Sequence, residues 1–175
     1  MVNVIICGTP GTGKSTLIGR LKSLALFKEV DFINLSKLAV DNGCASDYDD
    51  ELETHVIDED KLDNVLRPML EPANKSNVIE CIHADMVDPK LVDLVFVCRA
   101  SNSHLYDRLK ARGYNEIKIE NNLQSEIFQT ILDEASEAFG DKLEPIELRN
   151  DSLDDLDRNL HTIESELGNF MNAPK

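Results

Sequence analysis

The chain has no tryptophan, and only three tyrosines and six phenylalanines among 175 residues. Its core must therefore rest on leucine, isoleucine and valine rather than on aromatic rings. Cysteine is scarce as well. Cys7, Cys44, Cys81 and Cys98 are the whole set, and no two of them form a C-x-x-C pair. Zinc and dithiol chemistry are thus poorly supported. Three of the four fall in apolar, strand-like runs and read as small buried hydrophobes, which points to a reducing compartment. Basic residues are also in short supply: 18 Lys and Arg stand against 33 Asp and Glu, a net charge of −15. An acidic surface repels phosphates, so diffuse binding to nucleic acid is disfavoured. A basic protein partner is compatible with that charge, and so is solubility alone. No apolar run is long enough to cross a membrane, and the N-terminus leads straight into a strand with no leader pattern. The expectation is a cytosolic or nuclear protein. There is no internal repeat and no low-complexity tract, and the length suits one domain with one substantial core.

What is present is a phosphate loop. Gly8-Thr9-Pro10-Gly11-Thr12-Gly13-Lys14-Ser15 fits G-x-x-x-x-G-K-[ST] at every position. The context fits too. The apolar run Val2 to Cys7 precedes it as a buried strand, and Leu17, Leu21 and Leu24, with Ile18 beside them, form a helical stripe after it. Backbone N–H groups of such a loop point inward as an anion nest, reinforced by the positive end of the following helix. Lys14 can reach β- and γ-phosphate oxygens, and the Ser15 hydroxyl can hold Mg²⁺.

Strands are expected at Val30 to Asn34, Asn77 to Ile82, Leu94 to Cys98 and Leu143 to Leu148, the last at an edge because it contains Pro145. Helices are expected up to Phe27, over Lys37 to Asp41 with Asn34 or Ser36 as cap, and from Asp58 to a stop at Pro72 and Asn74. Others should run from Ser101 through Arg112, as one long helix over Glu116 to Phe139, and from Ser152 to Phe170. Cys44 to Thr54 is acidic and poor in apolar residues, and reads as a mobile excursion. Alternating strands and helices define an α/β domain with a mainly parallel sheet, whose ligands sit at the carboxyl ends of the strands.

Phosphoryl transfer needs more than the loop. Arg108 and Arg112 lie four apart on one helical face, beside a possible hinge at Gly113, and two guanidinium groups can clamp phosphate oxygens. The same spacing suits a solvated face with Asp107 and Lys110. Glu80 and Asp85, at and beyond the end of the third strand, can order Mg²⁺ through its waters, or serve as a strand-end charge and a turn residue. His83 can position a water or the acceptor, or be structural, and His55 can border the acceptor pocket. Carboxylates at Asp58, Glu59 and Asp60 are expected at a helix start for the dipole alone.

These segments together resemble a known family. The matching stretches are Gly8 through Thr16, Asp47-Tyr48-Asp49-Asp50-Glu51, Ile57-Asp58-Glu59-Asp60 and Leu94-Val95-Phe96-Val97. They continue with Leu105-Tyr106, Arg108-Leu109, Arg112-Gly113-Tyr114-Asn115-Glu116, Asn121-Asn122-Leu123 and Glu126-Ile127-Phe128. In this order they are similar to the adenylate kinase isoenzyme 6 family, nuclear adenylate kinase-like NTPases that act in ribosome maturation. The Asp-Glu-Asp and Arg-Gly-Tyr blocks are far more specific than the phosphate loop.

The resemblance implies a P-loop nucleoside monophosphate kinase fold: a five-stranded parallel sheet flanked by helices, all in one domain over 1–175. It implies a monophosphate-binding excursion at about 34–57 and a short lid at about 111–121. It further implies binding of ATP with Mg²⁺ by Gly11, Gly13, Lys14, Ser15, Thr16 and Arg112, with AMP as acceptor. Adenylate kinase and ATPase activities would accompany a role in small-subunit (18S rRNA) maturation, through a small-subunit ribosomal protein, in nucleus and cytoplasm. Lys14, Arg108, Arg112, Glu80 and His83 would carry catalysis, and Ser15, Glu80 and Asp85 the metal.

Two departures stand out. The family has Asp-x-His at the end of the third strand, where this chain has Glu80-Cys81-Ile82 and then His83. In a continuing strand that one-residue displacement would turn the histidine to the other face. Ser152 also stands where the family has a lysine. Two rival readings remain: an assembly chaperone whose nucleotide state governs a basic ribosomal partner, and a metabolic kinase for a sugar or shikimate-like acceptor. The Asp-Glu-Asp and Arg-Gly-Tyr blocks argue against the second.

Overall fold

A computed structural model of the chain describes residues 1–71 and 75–172. The expected helix stop at Pro72 and Asn74 lies outside the described residues. Five parallel strands make the main sheet: β1 (Asn3–Cys7), β2 (Val30–Asn34), β5 (Ser76–Glu80), β6 (Leu94–Arg99) and β7 (Ile146–Arg149). Their spatial order is β2-β5-β1-β6-β7. Two of the central strands, β1 and β6, are near-continuous apolar runs because the sheet is covered on both faces.

Strand alternation sorts the core into two layers. Ile5, Cys7, Ile79, Val95 and Val97 face α3 (Glu59–Leu70) and α6 (Thr130–Phe139), through Leu62, Leu66, Ala135 and Phe139. Val4, Ile6, Val78, Phe96 and Cys98 face α1 (Lys14–Leu21) and α7 (Leu153–Asn172), through Leu17, Leu21, Leu156 and Ile163. All four cysteines are buried and free. Burial pushes the Cys81 and Cys98 thiols up to about 12, so they stay protonated and behave as apolar groups.

The edge position expected for the last strand holds: β7 begins just after Pro145 and pairs only with β6. The Asn34 side chain, at the carboxyl end of β2, caps α2 (Leu35–Asp41) by accepting from the Lys37 amide at 2.9 Å. Asp58 does the same for α3. The first helix ends at Leu21 rather than near Phe27, and a 3₁₀ turn covers Ala25–Phe27.

Two expectations give way. The acidic excursion is a hairpin, β3 (Ala45–Asp49) with β4 (Thr54–Ile57), antiparallel. Local bonding replaces burial there: the Asp49 carboxylate accepts the Glu51 and Leu52 amides, and Tyr48 meets His55 edge-on across the strands at 5.1 Å. The expected long helix breaks into α5 (Glu116–Ile127) and α6, with Gln129 left-handed at φ 57°. The break lets α6 turn Ile131, Ala135 and Phe139 onto the sheet while α5 stays with α4 (Asn102–Ala111), around Leu105, Leu109 and Ile119.

Ser152 and Asp155 form a capping box at the start of α7. The Ser152 hydroxyl and Arg158 hold the Asp155 carboxyl down to about 2, from an ordinary 3.8. Folding thus favours its ionised form. That stabilisation is full above about pH 4 and fades as pH falls toward about 2. Asp155→Asn is expected to lower Tm by a few degrees at neutral pH and to flatten its decline between those two values. Thermal melts across that range check this.

Candidate functional site

The chain leaves β1 at Cys7 and turns into α1 through the glycine loop. Gly8 has φ 140°, and a Cβ there would sit 2.3 Å from the Cys98 carbonyl oxygen. Gly13 has φ 92°, and its Cβ would lie 2.1 Å from Asn150 Nδ2. Neither position admits a side chain, so the loop backbone is drawn tight against β6 and the β7–α7 connection. Lys14 follows at the helix start, 8% exposed, with Nζ donating to the Gly8 and Thr9 carbonyls at 2.5 and 3.1 Å. Burial pulls its pKa below the usual lysine value, with the nearby charge of Glu80 pulling the other way.

The loop is tied down on two sides. On one, Asn150 Nδ2 donates to the Thr12 carbonyl at 2.8 Å, and Arg108 donates to the carbonyls of Gly11, Asn150 and Asp151. Arg108 therefore borders the groove beside Gly11 and Gly13, not the mouth at Lys14 and Ser15. On the other side, the Thr9 hydroxyl donates to Glu126 Oε2 at 2.8 Å. Glu126 Oε1 accepts from Arg99 Nε at 2.5 Å and from the Ala100 amide at 3.1 Å. Asn150, Arg99 and Glu126 were not anticipated from the sequence. The available signals were the place of Glu126 in the family-matching stretch Glu126-Ile127-Phe128 and a pair of opposite charges, Arg99 ending an apolar strand and Glu126 on a helix.

Ser15 and Glu80 come together: Ser15 Oγ donates to Glu80 Oε1 at 2.6 Å, and Asn34 Nδ2 donates to Oε2 at 3.0 Å. A hydroxyl and a carboxylate side by side at a helix start, next to Lys14, form a hard-oxygen donor set that fits Mg²⁺. Asp85 is not part of it. It lies in the 3₁₀ turn Ala84–Met86 and gathers with His83 and Glu134, the donor atoms of all three lying within 4.8 Å. His83 Nδ1 is 2.7 Å from Glu134 Oε2. Because β5 stops at Glu80, strand alternation does not decide which way His83 faces. Both Ile82 and His83 border a cleft with Ser36, Thr54, His55 and Ile57, on the hairpin side of the loop.

Arg112 is the side chain shared between openings. It borders the groove of Gly11, Gly13 and Thr16, and also the mouth formed by Lys14, Ser15 and Glu80. Its amide donates to the Arg108 and Leu109 carbonyls, but its exposed guanidinium makes no hydrogen bond or ion pair among the described residues. Gly113 follows with φ 78°, then Tyr114, whose ring lies 4.2 Å from Lys118 Nζ. The start of α5, just beyond Gly113, is joined to the hairpin: Asn115 Nδ2 donates to the Glu51 carbonyl at 3.2 Å, and Lys118 Nζ to that of Glu53 at 2.8 Å. A separate cavity of about 520 Å³ lies by Phe27, Asp31 and Lys75 at the amino ends of the strands and contains none of these groups.

Solved structures share this fold. The chain matches a shikimate kinase from Bacteroides thetaiotaomicron with TM-score 0.56 and 16% identity, covering 95% of this chain and 98% of that one. It matches TT1252 from Thermus thermophilus with TM-score 0.57 and 18% identity, covering 95% and 97%. A family model described as an AAA domain matches residues 4–129. Together with the phosphate loop, this defines a nucleotide-binding protein on a P-loop nucleoside monophosphate kinase fold.

Sequence relatives narrow the class. The chain is 38% identical to the adenylate kinase isoenzyme 6 homolog FAP7 of Saccharomyces cerevisiae, over 92% of its own length and 79% of the relative's. It is 41% identical to the homolog HBR1 of Candida albicans, over 93% and 67%, and 35% identical to the Caenorhabditis elegans homolog, over 97% and 91%. The chain belongs to the adenylate kinase isoenzyme 6 family. Among the described residues no helix is long and apolar enough to cross a membrane.

Proposed function

We propose that the protein is a Mg²⁺-dependent ATP:AMP phosphotransferase that also hydrolyses ATP and acts in maturation of the small ribosomal subunit, in nucleus and cytoplasm. One observation carries the enzymatic part: Arg112 borders both the groove beside Gly11 and Gly13 and the mouth over Lys14 and Ser15. A nucleoside triphosphate laid from groove to mouth brings its terminal phosphate under that guanidinium. The hairpin-side cleft of Ser36, His55 and Ile57 then receives the acceptor.

Ser15, with Glu80 behind it, would hold Mg²⁺, which when bound would neutralise charge on the β- and γ-phosphates. Lys14 turns its ammonium from the Gly8 and Thr9 carbonyls to phosphate oxygens. The loop amides hold the β-phosphate in line. Arg112 swings at Gly113 to cover the transferred group and exclude water. Arg108, committed to three carbonyls, holds the loop in shape rather than touching the phosphoryl group. His83, oriented by Glu134 through Nδ1, leaves Nε2 to hold a water for hydrolysis.

Purified protein is expected to form ADP from ATP and Mg²⁺ slowly alone and much faster when AMP is added, as a coupled ADP assay reads. Turnover indifferent to AMP would remove the phosphotransferase reading.

The net charge of −15 and the exposed acidic hairpin favour a second role, as an assembly chaperone for a basic ribosomal protein whose release follows the nucleotide state. Pull-down of a small-subunit ribosomal protein at low and moderate salt, with and without nucleotide, tests this. Binding that ignores both variables counts against it.

A further inference from the structure

We infer that Glu126 is a positioning residue for the phosphate loop, acting through the hydroxyl of Thr9. The inference rests on the reading of that loop as an ATP site and adds a residue that touches no phosphate.

Thr9 is the junction of the loop's internal bonding. Its carbonyl accepts the Thr12 amide at 3.3 Å, the Thr12 hydroxyl at 2.8 Å and the Lys14 ammonium at 3.1 Å. Wherever Thr9 sits, Thr12 and Lys14 follow. Its backbone is the free-standing part of the loop, between the Gly8 amide bonded to the Ile82 carbonyl and the Gly11 carbonyl held by Arg108. What fixes Thr9 itself is one side-chain bond, to Glu126 Oε2.

That carboxylate is unusually well placed to serve as an anchor. Glu126 is 4% exposed and Thr9 1%, so water does not compete for the bond. Its other oxygen is occupied by Arg99 Nε and the Ala100 amide, and Arg99 Nη2 also donates to the Glu126 carbonyl at 3.0 Å. Side chain and backbone of Glu126 are therefore both pinned to the end of β6. Charged hydrogen bonds in a dry setting are stiff, and they transmit the position of β6 to the loop. The loop is then set from two directions, by Arg108 and Asn150 on the α7 side and by Glu126 on the α5 side. A preorganised anion cradle needs both, because its amides must point correctly before the phosphate arrives.

Thr9→Val removes the hydroxyl while keeping shape and leaving the Arg99–Glu126 pair in place. Thr9→Ser keeps the hydroxyl. Two readouts are needed: amide hydrogen exchange over residues 8–13 in the nucleotide-free protein, and the affinity of a fluorescent ATP analogue with Mg²⁺. Thr9→Val is expected to speed exchange in the loop alone and to weaken the analogue about tenfold, or about 1.4 kcal/mol. Thr9→Ser is expected to recover most of both. Unchanged exchange in Thr9→Val overturns the inference. So does acceleration spread over the whole chain, or a loss that Thr9→Ser fails to recover. If the wild type itself binds no analogue, the ATP reading fails, while loop exchange in the free protein still decides whether Glu126 positions the loop.

Discussion

Lys14→Ala is expected to reduce ATP turnover by about 10²–10³-fold while leaving Tm within a few degrees of the wild type. The size follows from removing one preorganised charge aimed at the phosphates, in a site that excludes water. The small stability effect follows from where the lysine sits. Its ammonium is buried against two loop carbonyls, and that burial lowers its pKa, so the fold already works against the charge it holds. Alanine gives up two hydrogen bonds but relieves that strain on the charge. Steady-state ADP formation and a thermal melt on the same preparation check the pair of outcomes. A variant that lost activity and melted far earlier would show Lys14 to be structural instead.

Glu126→Ala should have the opposite signature, with stability failing first. The Arg99–Glu126 pair is almost fully buried, at 6% and 4% exposure. Removing the carboxylate leaves a guanidinium inside the protein whose remaining ion-pair partner among the described residues is Glu147, with a carboxylate oxygen 3.8 Å from Nη1. Breaking a buried pair in this way costs about 3–5 kcal/mol. Chemical denaturation followed by circular dichroism should show the midpoint fall accordingly. The double variant Arg99→Met with Glu126→Leu, which takes out both charges and keeps the volume, should fall much less, since no ion is left stranded. Equal losses in the single and double variants would mean that shape, not charge, governs the site.

The parts of the molecule that could be read from the sequence are those whose causes are local. The strand–loop–helix at residues 2–21 announces itself because apolar run, glycine spacing and helical stripe are contiguous. The caps at Asn34 and Asp58 and the edge placement of β7 follow from neighbours within a few positions. The hairpin at 45–57 escaped because apolar content was the criterion, whereas an aspartate turn and a Tyr48–His55 contact hold it. The break at Gln129 escaped because its reason is tertiary: α5 and α6 bury their stripes against different partners. Nothing local pairs Arg99 with Glu126, 27 positions apart, or Asn150 with Thr12, 138 apart. Arg108 and Arg112 looked equivalent by spacing. The β7–α7 connection, which captures one guanidinium and leaves the other outside, separates them.

The clasp between α5 and the hairpin has a consequence for how this surface can change over time. Both of its acceptors, at residues 51 and 53, are main-chain oxygens. The carboxylates of those two glutamates therefore play no part in fastening the tip. Mutation can recolour the electrical character of that outward turn, and with it whatever docks there, while the fastening stays shut.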